Sequence, residues 1–168
     1  EDWVYGANIN YNQHKFQWAN QKANTGDFIA MRMEEACLIR AEALCRNKQY
    51  EEARTEIAKL GSARDSGYAT RLAAFTDSDV QTFGTYGVVT TLLDEILLQR
   101  RIELWGEGHS YFDLMRLQKP IDRRGGGYEE SLVYNIAADD PVRIYMVPLS
   151  EIQTNAQINE GQNNPAAG

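Results

Sequence analysis

The sequence predicts a mainly α-helical protein: a tetratricopeptide-like helical hairpin, further packed helices, long irregular loops and little strand. Three observations carry that expectation. Apolar residues recur at spacings of three and four in separate stretches of the chain. A break of only three residues, Asn47-Lys48-Gln49, divides the first two of these stretches, as in an antiparallel helix pair. Alternation of the strand type shows only weakly, at Arg143 to Val147.

Residues 1–26 place Trp3, Tyr5, Tyr11, Phe16 and Trp18 among many Asn and Gln without a lasting period, and read as an irregular lead-in. From Asp27, a predicted N-cap, a helical pattern runs to about Asn47. Ile29, Met33, Cys37, Ala41, Leu44 and Cys45 mark its expected buried face. A second helix follows from about Tyr50 to Leu60, with Tyr50, Ala53, Ile57 and Leu60 on one side. Ala41, Leu44, Tyr50, Ala53 and Ile57 fall where a tetratricopeptide-type repeat places its packing residues, small Ala lying at close helix contacts. The early Trp and usual glycine of that repeat are missing, and only one unit is visible. A lone repeat buries too little by itself, so partner helices are expected from elsewhere.

Residues 65–90 read as a long loop with Gly67, Gly84 and Gly87, carrying Tyr68, Phe75, Phe83 and Tyr86. A third helix is predicted from about Thr91 to Trp105, opened by a capping box in which Asp94 stands for the usual Glu. Trp105, amid Leu97, Ile102 and Leu104, is expected in the core. Gly106 and Gly108 suit a helix end and a close turn. Ser110 is the expected cap of a fourth helix that ends before Lys119-Pro120. Residues 120–142 read as loop, Arg143 to Val147 as a short strand, and Pro148 to Asn155 as a helical turn before an Asn- and Gly-rich tail.

Composition excludes some functions. The 168 residues suit a single compact unit; such a chain buries roughly 70% of its unfolded surface and needs no disulfides. With 17 Lys plus Arg against 24 Asp plus Glu, the formal charge is −7, which argues against nucleic acid as a partner. No run reaches the ~18 apolar residues of a membrane span. The chain opens on Glu1 with no basic-then-apolar leader, and is expected to be a processed or excised piece of a longer one. Cys37 and Cys45 fall in one helix about 12 Å apart along its axis. A disulfide needs Cα atoms within roughly 7 Å, so both read as small buried apolar residues. His14 and His109 offer no zinc-ligand spacing, and no metal or cofactor is expected.

The densest chemistry lies between Arg100 and Arg116. Arg100 and Glu103 are three apart, as are Asp113 and Arg116, while His109 and Asp113 are four apart, so each pair meets on a helix surface. Glu103 and Glu107 have the types of an acid and a base flanking a glycosidic bond. Arginine neighbours hold carboxylates ionised, however, and that spoils a general acid. Arg100, Arg101, Glu103, Glu107, His109, Asp113 and Arg116 are therefore read as a structural charged network between helices. Ser110, His109 and Asp113 lack the surroundings of a hydrolase nucleophile. Gly125-Gly126-Gly127 lacks the Lys-Ser/Thr of a phosphate loop.

Arg101-Ile102-Glu103-Leu104-Trp105-Gly106-Glu107-Gly108-His109-Ser110-Tyr111-Phe112-Asp113-Leu114-Met115-Arg116 resembles the R-x-E-L-x-x-E-G-H-R-x-x-D-L-x-R signature of SusD/RagB-like proteins. Three further segments follow that family's order. Met31 to Ala43 is similar to its M-R-L-A-E-x-Y-L-x-x-A-E-A helix, and the hairpin comes next. Val147 to Asn155 resembles its I-P-x-x-E-I-x-x-N-P segment, and Gln162 to Pro165 its closing Q-N-P. Departures are Ser110 for the usual Arg, Ala156 for Pro, and an added Asn in the closing motif. The likeness spans about 27–165, so residues 27–168 are expected to be the C-terminal helical region of such a protein.

The resemblance implies a non-catalytic, mostly α-helical lipoprotein at the outer-membrane surface, anchored by an upstream segment. It implies capture of oligosaccharide or polysaccharide, or in some members peptide, for a TonB-dependent (SusC-like) transporter. The upstream part of the parent chain would be a further partner. Flat aromatic rings suit sugar faces, and Trp3, Trp18, Phe83 and Tyr86 in irregular regions are the ligand-binding candidates. A protein-interaction scaffold gripping a peptide or the transporter is the alternative, and a glycosidase using Glu103 and Glu107 a third reading.

Overall fold

The computed structural model describes residues 30–82, 89–125 and 127–165. The chain divides into two compact units, Glu1–Arg32 and Met33–Gly168. Of the first, only its last three residues are described; all the elements named below belong to the second. Mainly helical as expected, that unit contains six α-helices among the described residues.

Helices α1 (Met33–Arg46) and α2 (Tyr50–Gly61) form the hairpin. Lys48 adopts a left-handed φ of 63°, and Gln49 N–H returns to the Leu44 carbonyl at 2.9 Å. That closes the end of α1 and reverses the chain within three residues. Ala41 and Ala53 are fully buried, as the repeat pattern requires. α1 packs on both α2 and α4 (Leu92–Glu103). Its covered stripe is Leu38, Ala41 and Cys45. The expected stripe began instead at Ile29, which lies outside the described residues, as does the predicted cap Asp27. Met33, expected to be buried, is 81% exposed, because it stands off the side that α2 and α4 share.

The stretch after α2 is not a free loop. Tyr68–Leu72 forms a short helix, α3, whose two terminal residues are both buried. Arg54 of α2 then ties the descending chain, donating to the carbonyls of Leu72 and, at 2.8 Å, Phe75, and also to Asp77. Thr76 bonds on both sides to the strand-like entry of α4, through Thr90 O and Leu92 N, each at 2.9 Å. These backbone groups find partners that no local pattern announces.

Thr91 caps α4 as expected, its hydroxyl accepting from Asp94 N–H at 3.1 Å. The reciprocal half of the capping box does not form. The Asp94 carboxylate instead takes the Thr82 N–H, at 2.9 Å, and the Thr82 hydroxyl. α4 contributes fully buried Leu92, Leu93 and Ile96 to the core. Each such side chain contributes about 1.5–3 kcal/mol through burial.

Trp105 is 56% exposed rather than core. α4 ends at Glu103, and the chain then turns through Gly106 and Gly108 at φ 78° and 85°. Past the last helical residue the helical period no longer assigns sides; Leu104 turns inward at 2% exposure and Trp105 outward. α5 runs His109–Arg116 from Gly108, with no side-chain cap. Ser110 is thus its second residue and not its cap, because the left-handed glycine already sets the entry.

The predicted strand at Arg143 to Val147 is absent. Val147 commits both backbone groups to the Asn163 side chain, at 2.7 and 3.2 Å, and Pro141–Arg143 is a 3-10 turn. The small sheet lies earlier, where β1 (Ile121–Asp122) pairs antiparallel with β2 (Asn135–Ile136). α6 (Leu149–Thr154) fulfils the expected helical turn after Pro148. Among the described residues no helix is long and apolar enough to cross a membrane.

Candidate functional site

Three helices bring charged side chains to one seam. α1 supplies Glu35 and Glu42, seven residues apart and so on one face. α4 supplies Arg100 in its last turn, and α5 supplies His109, Asp113 and Arg116 at spacings of four and three. Arg100 Nε donates to Asp113 Oδ2 at 2.7 Å, and its Nη2 lies 3.8 Å from Glu35 Oε1. His109 Nδ1 stands 3.6 Å from the same Glu35 oxygen. Arg116 Nε donates to Asp113 Oδ1 at 2.8 Å. The Arg116 fork then grips Glu42, which also accepts from Arg46 Nε at 2.9 Å. The chain of contacts is continuous from His109 through Glu35, Arg100, Asp113, Arg116 and Glu42 to Arg46.

Burial raises the cost of ionising Glu42, but the hydrogen bonds from Arg116 and Arg46 outweigh it and hold its carboxyl below the usual range. The Glu42 bond in turn pushes the Arg116 guanidinium up. A carboxylate held ionised between arginines is a poor proton donor. What the seam does chemically is fasten α5 and the end of α4 onto α1.

The seam differs from the expected network. Arg100, His109, Asp113 and Arg116 come together. Arg101 points to solvent from α4. Glu103, 8% exposed, faces elsewhere and pairs with Arg64 in the turn after α2. Glu107 is half-buried in the Gly106–Gly108 turn. Since α4 stops at Glu103, the helical spacing that would align Glu103 with Glu107 as acid and base does not hold. Glu35, Glu42 and Arg46 complete the seam beyond the expected network, and the seven-residue spacing of the two glutamates is the sequence sign of their shared face. Trp3, Trp18, Phe83 and Tyr86, the ligand-binding candidates, lie outside the described residues.

A second polar contact is buried in the core. Tyr68 Oη donates to Glu95 Oε1 at 2.8 Å, and Gln99 Nε2 donates to the same oxygen at 2.9 Å. Burial and the Glu95 carboxylate together push the Tyr68 phenol well above its ordinary value. Among the described residues no group of His, Cys, Asp and Glu is arranged to hold a metal ion.

Residues 5–165 match the family model described as the SusD family. No curated protein and no solved structure matches this chain.

Proposed function

The chain belongs to the SusD family, whose members bind glycans for nutrient uptake, and on that premise we propose that it captures extracellular oligosaccharide or polysaccharide without altering it. The captured glycan passes to a TonB-dependent outer-membrane transporter, and the protein sits at the cell surface on a lipid anchor borne by an upstream segment of a longer parent chain. The observation that carries this reading is the family match over residues 5–165. The non-catalytic part is supported by the commitment of the signature acids: Asp113 to Arg100 and Arg116, and Glu103 to Arg64.

The test is native affinity electrophoresis of the whole chain, with its fold checked by circular dichroism, against a panel of polysaccharides. Retardation by one glycan, with no sugar released on incubation, is the expected result. Alanine at Trp3, Trp18, Phe83 and Tyr86 in turn then asks whether those side chains carry the binding. A folded chain that no glycan retards refutes glycan capture by this chain.

One observation favours a second reading, a protein-interaction scaffold. Ile102, Trp105 and Phe112, all within the signature, are 58%, 56% and 69% exposed. Exposed large apolar side chains suit contact with a transporter or another protein. That reading expects binding to the transporter which soluble sugar does not compete away.

A further inference from the structure

The hairpin between β1 and β2 carries chemistry that the helical core does not use. Ile121 stands opposite Ile136 and Asp122 opposite Asn135. The Asn135 side-chain oxygen also accepts from the Arg123 backbone N–H at 3.3 Å, which sets Arg123 at the neck of the hairpin. Its guanidinium carbon lies 4.3 Å from the centre of the Tyr134 ring and 5.1 Å from that of Tyr128. Two rings from one loop thus close on one cation. Both tyrosines remain well exposed, at 51% for Tyr128 and 47% for Tyr134.

Beside this cluster, Asp122 and Arg124 pair with each other. Arg124 Nε donates to both oxygens of Asp122, at 3.0 and 3.1 Å, and its Nη2 to one of them. The Arg123 guanidinium, by contrast, makes no hydrogen bond or ion pair with any described residue. A guanidinium has five N–H donors in one plane. The two rings lie against the guanidinium, and no described residue takes its N–H groups. Flat ring surface beside open, fixed donors is what a sugar needs, with its apolar C–H faces and its hydroxyl rim.

The geometry points to the Arg123–Tyr128–Tyr134 cluster as a saccharide-binding surface, the tyrosine rings stacking on pyranose C–H faces and the Arg123 edge donating to hydroxyls. The inference rests on the glycan-capture reading and gives it a place outside the four aromatic residues singled out from the sequence. Residues 121–136 hold Arg123 and Arg124 against Asp122, Glu129 and Glu130, a net acidic segment. A neutral glycan suits it better than a polyanion. The rings are also held apart from the core, so binding there requires no opening of the helical body.

The experiment is affinity electrophoresis of the full chain against starch, xylan, β-mannan and polygalacturonate. The expected result is retardation by one of the neutral polysaccharides. Tyr128→Ala and Tyr134→Ala each weaken it about tenfold or more, and Arg123→Gln weakens it too. Tyr128→Phe and Tyr134→Phe retain it, since the ring and not the hydroxyl does the stacking. All variants keep the circular dichroism and melting temperature of the parent. A folded Tyr128→Ala/Tyr134→Ala double variant that binds like the parent overturns the hairpin site and leaves glycan capture standing. An unsubstituted chain that no polysaccharide retards removes the capture reading, and the hairpin site with it. Retardation by polygalacturonate alone, lost in Arg123→Gln but kept in both alanine variants, replaces the stacking surface with a simple cation contact and overturns it.

Discussion

Arg116 and Glu42 stand 74 positions apart in the sequence, yet the two ends of the guanidinium fork meet the two carboxylate oxygens at 2.8 and 2.7 Å. A two-point arginine–carboxylate contact fixes orientation as well as distance. It joins α5, the end of the family signature, to the first helix of the hairpin.

That fork helps hold the folded state together. Glu42→Gln is expected to lower stability by about 1.5–3 kcal/mol at neutral pH. The loss stays below the roughly 3–5 kcal/mol of a fully buried pair, because the Arg116 side chain is 42% exposed. Urea unfolding measures it. An unchanged midpoint would show that the seam holds nothing together.

The same residue sets a pH dependence. Glu42 is held below its ordinary value of 4.5, so in acid the unfolded chain takes up the proton before the folded one does. The stabilisation is whole above about 4.5 and is lost as pH falls through the folded value. The gap in melting temperature between the parent and Glu42→Gln should therefore narrow from pH 6 to pH 3. A gap that stays constant or widens contradicts the assignment.

Gly61 offers a sharper steric test. A Cβ there would overlap Cδ1 and Cε1 of the Tyr68 ring, in a core position with no room to give. Gly61→Ala should displace the ring, break the Tyr68–Glu95 hydrogen bond and cost about 1–3 kcal/mol. Tyr68→Phe removes the same bond by another route. The two changes together should cost less than their sum, and strict additivity in a double-mutant cycle counts against the mechanism.

The thiols should be quiet in the folded chain. Cys45 is buried and pushed up to about 11, and burial with nearby Glu56 raises Cys37 as well. Their Sγ atoms face the carbonyls of Ser78 and Glu56 at 3.3 and 3.2 Å. The thiolate is the reactive form. Titration with a disulfide reagent at pH 8 is expected to proceed slowly in buffer and to reach two thiols at once in denaturant. Fast reaction of Cys45 in buffer would contradict its placement.

Thr91→Ala removes the cap of α4 and should cost about 1 kcal/mol. Thr91→Ser, which keeps the hydroxyl, should restore most of it in thermal unfolding. Equal losses from both would mean that the methyl packing and not the cap matters at this position.

Local regularities were legible in the sequence wherever one helix decides its own structure. The period over Tyr50 to Leu60, the short break at Asn47-Lys48-Gln49 and the Thr91 cap depend on residues a few positions apart, and each lies where expected. Legibility failed where a distant element decides. Met33 is exposed and Leu38 buried because α2 and α4 together choose which side of α1 they cover. Trp105 turns outward because α4 ends at Glu103 and two left-handed glycines follow, so the helical period no longer assigns its side. The expected strand at Arg143 to Val147 gave way because Asn163, sixteen residues on, takes both backbone groups of Val147.

The candidate site divides along the same line. By itself, the sequence determined the helical class, the hairpin and the family, because spacing and motif order are properties of the chain alone. Only the tertiary structure decided that Glu103 faces Arg64, that Glu35 and Glu42 complete the seam, and that Tyr128 and Tyr134 close on Arg123. An ion pair or a ring contact forms where folding leaves two side chains within a few ångströms, and separation along the chain carries no record of that distance.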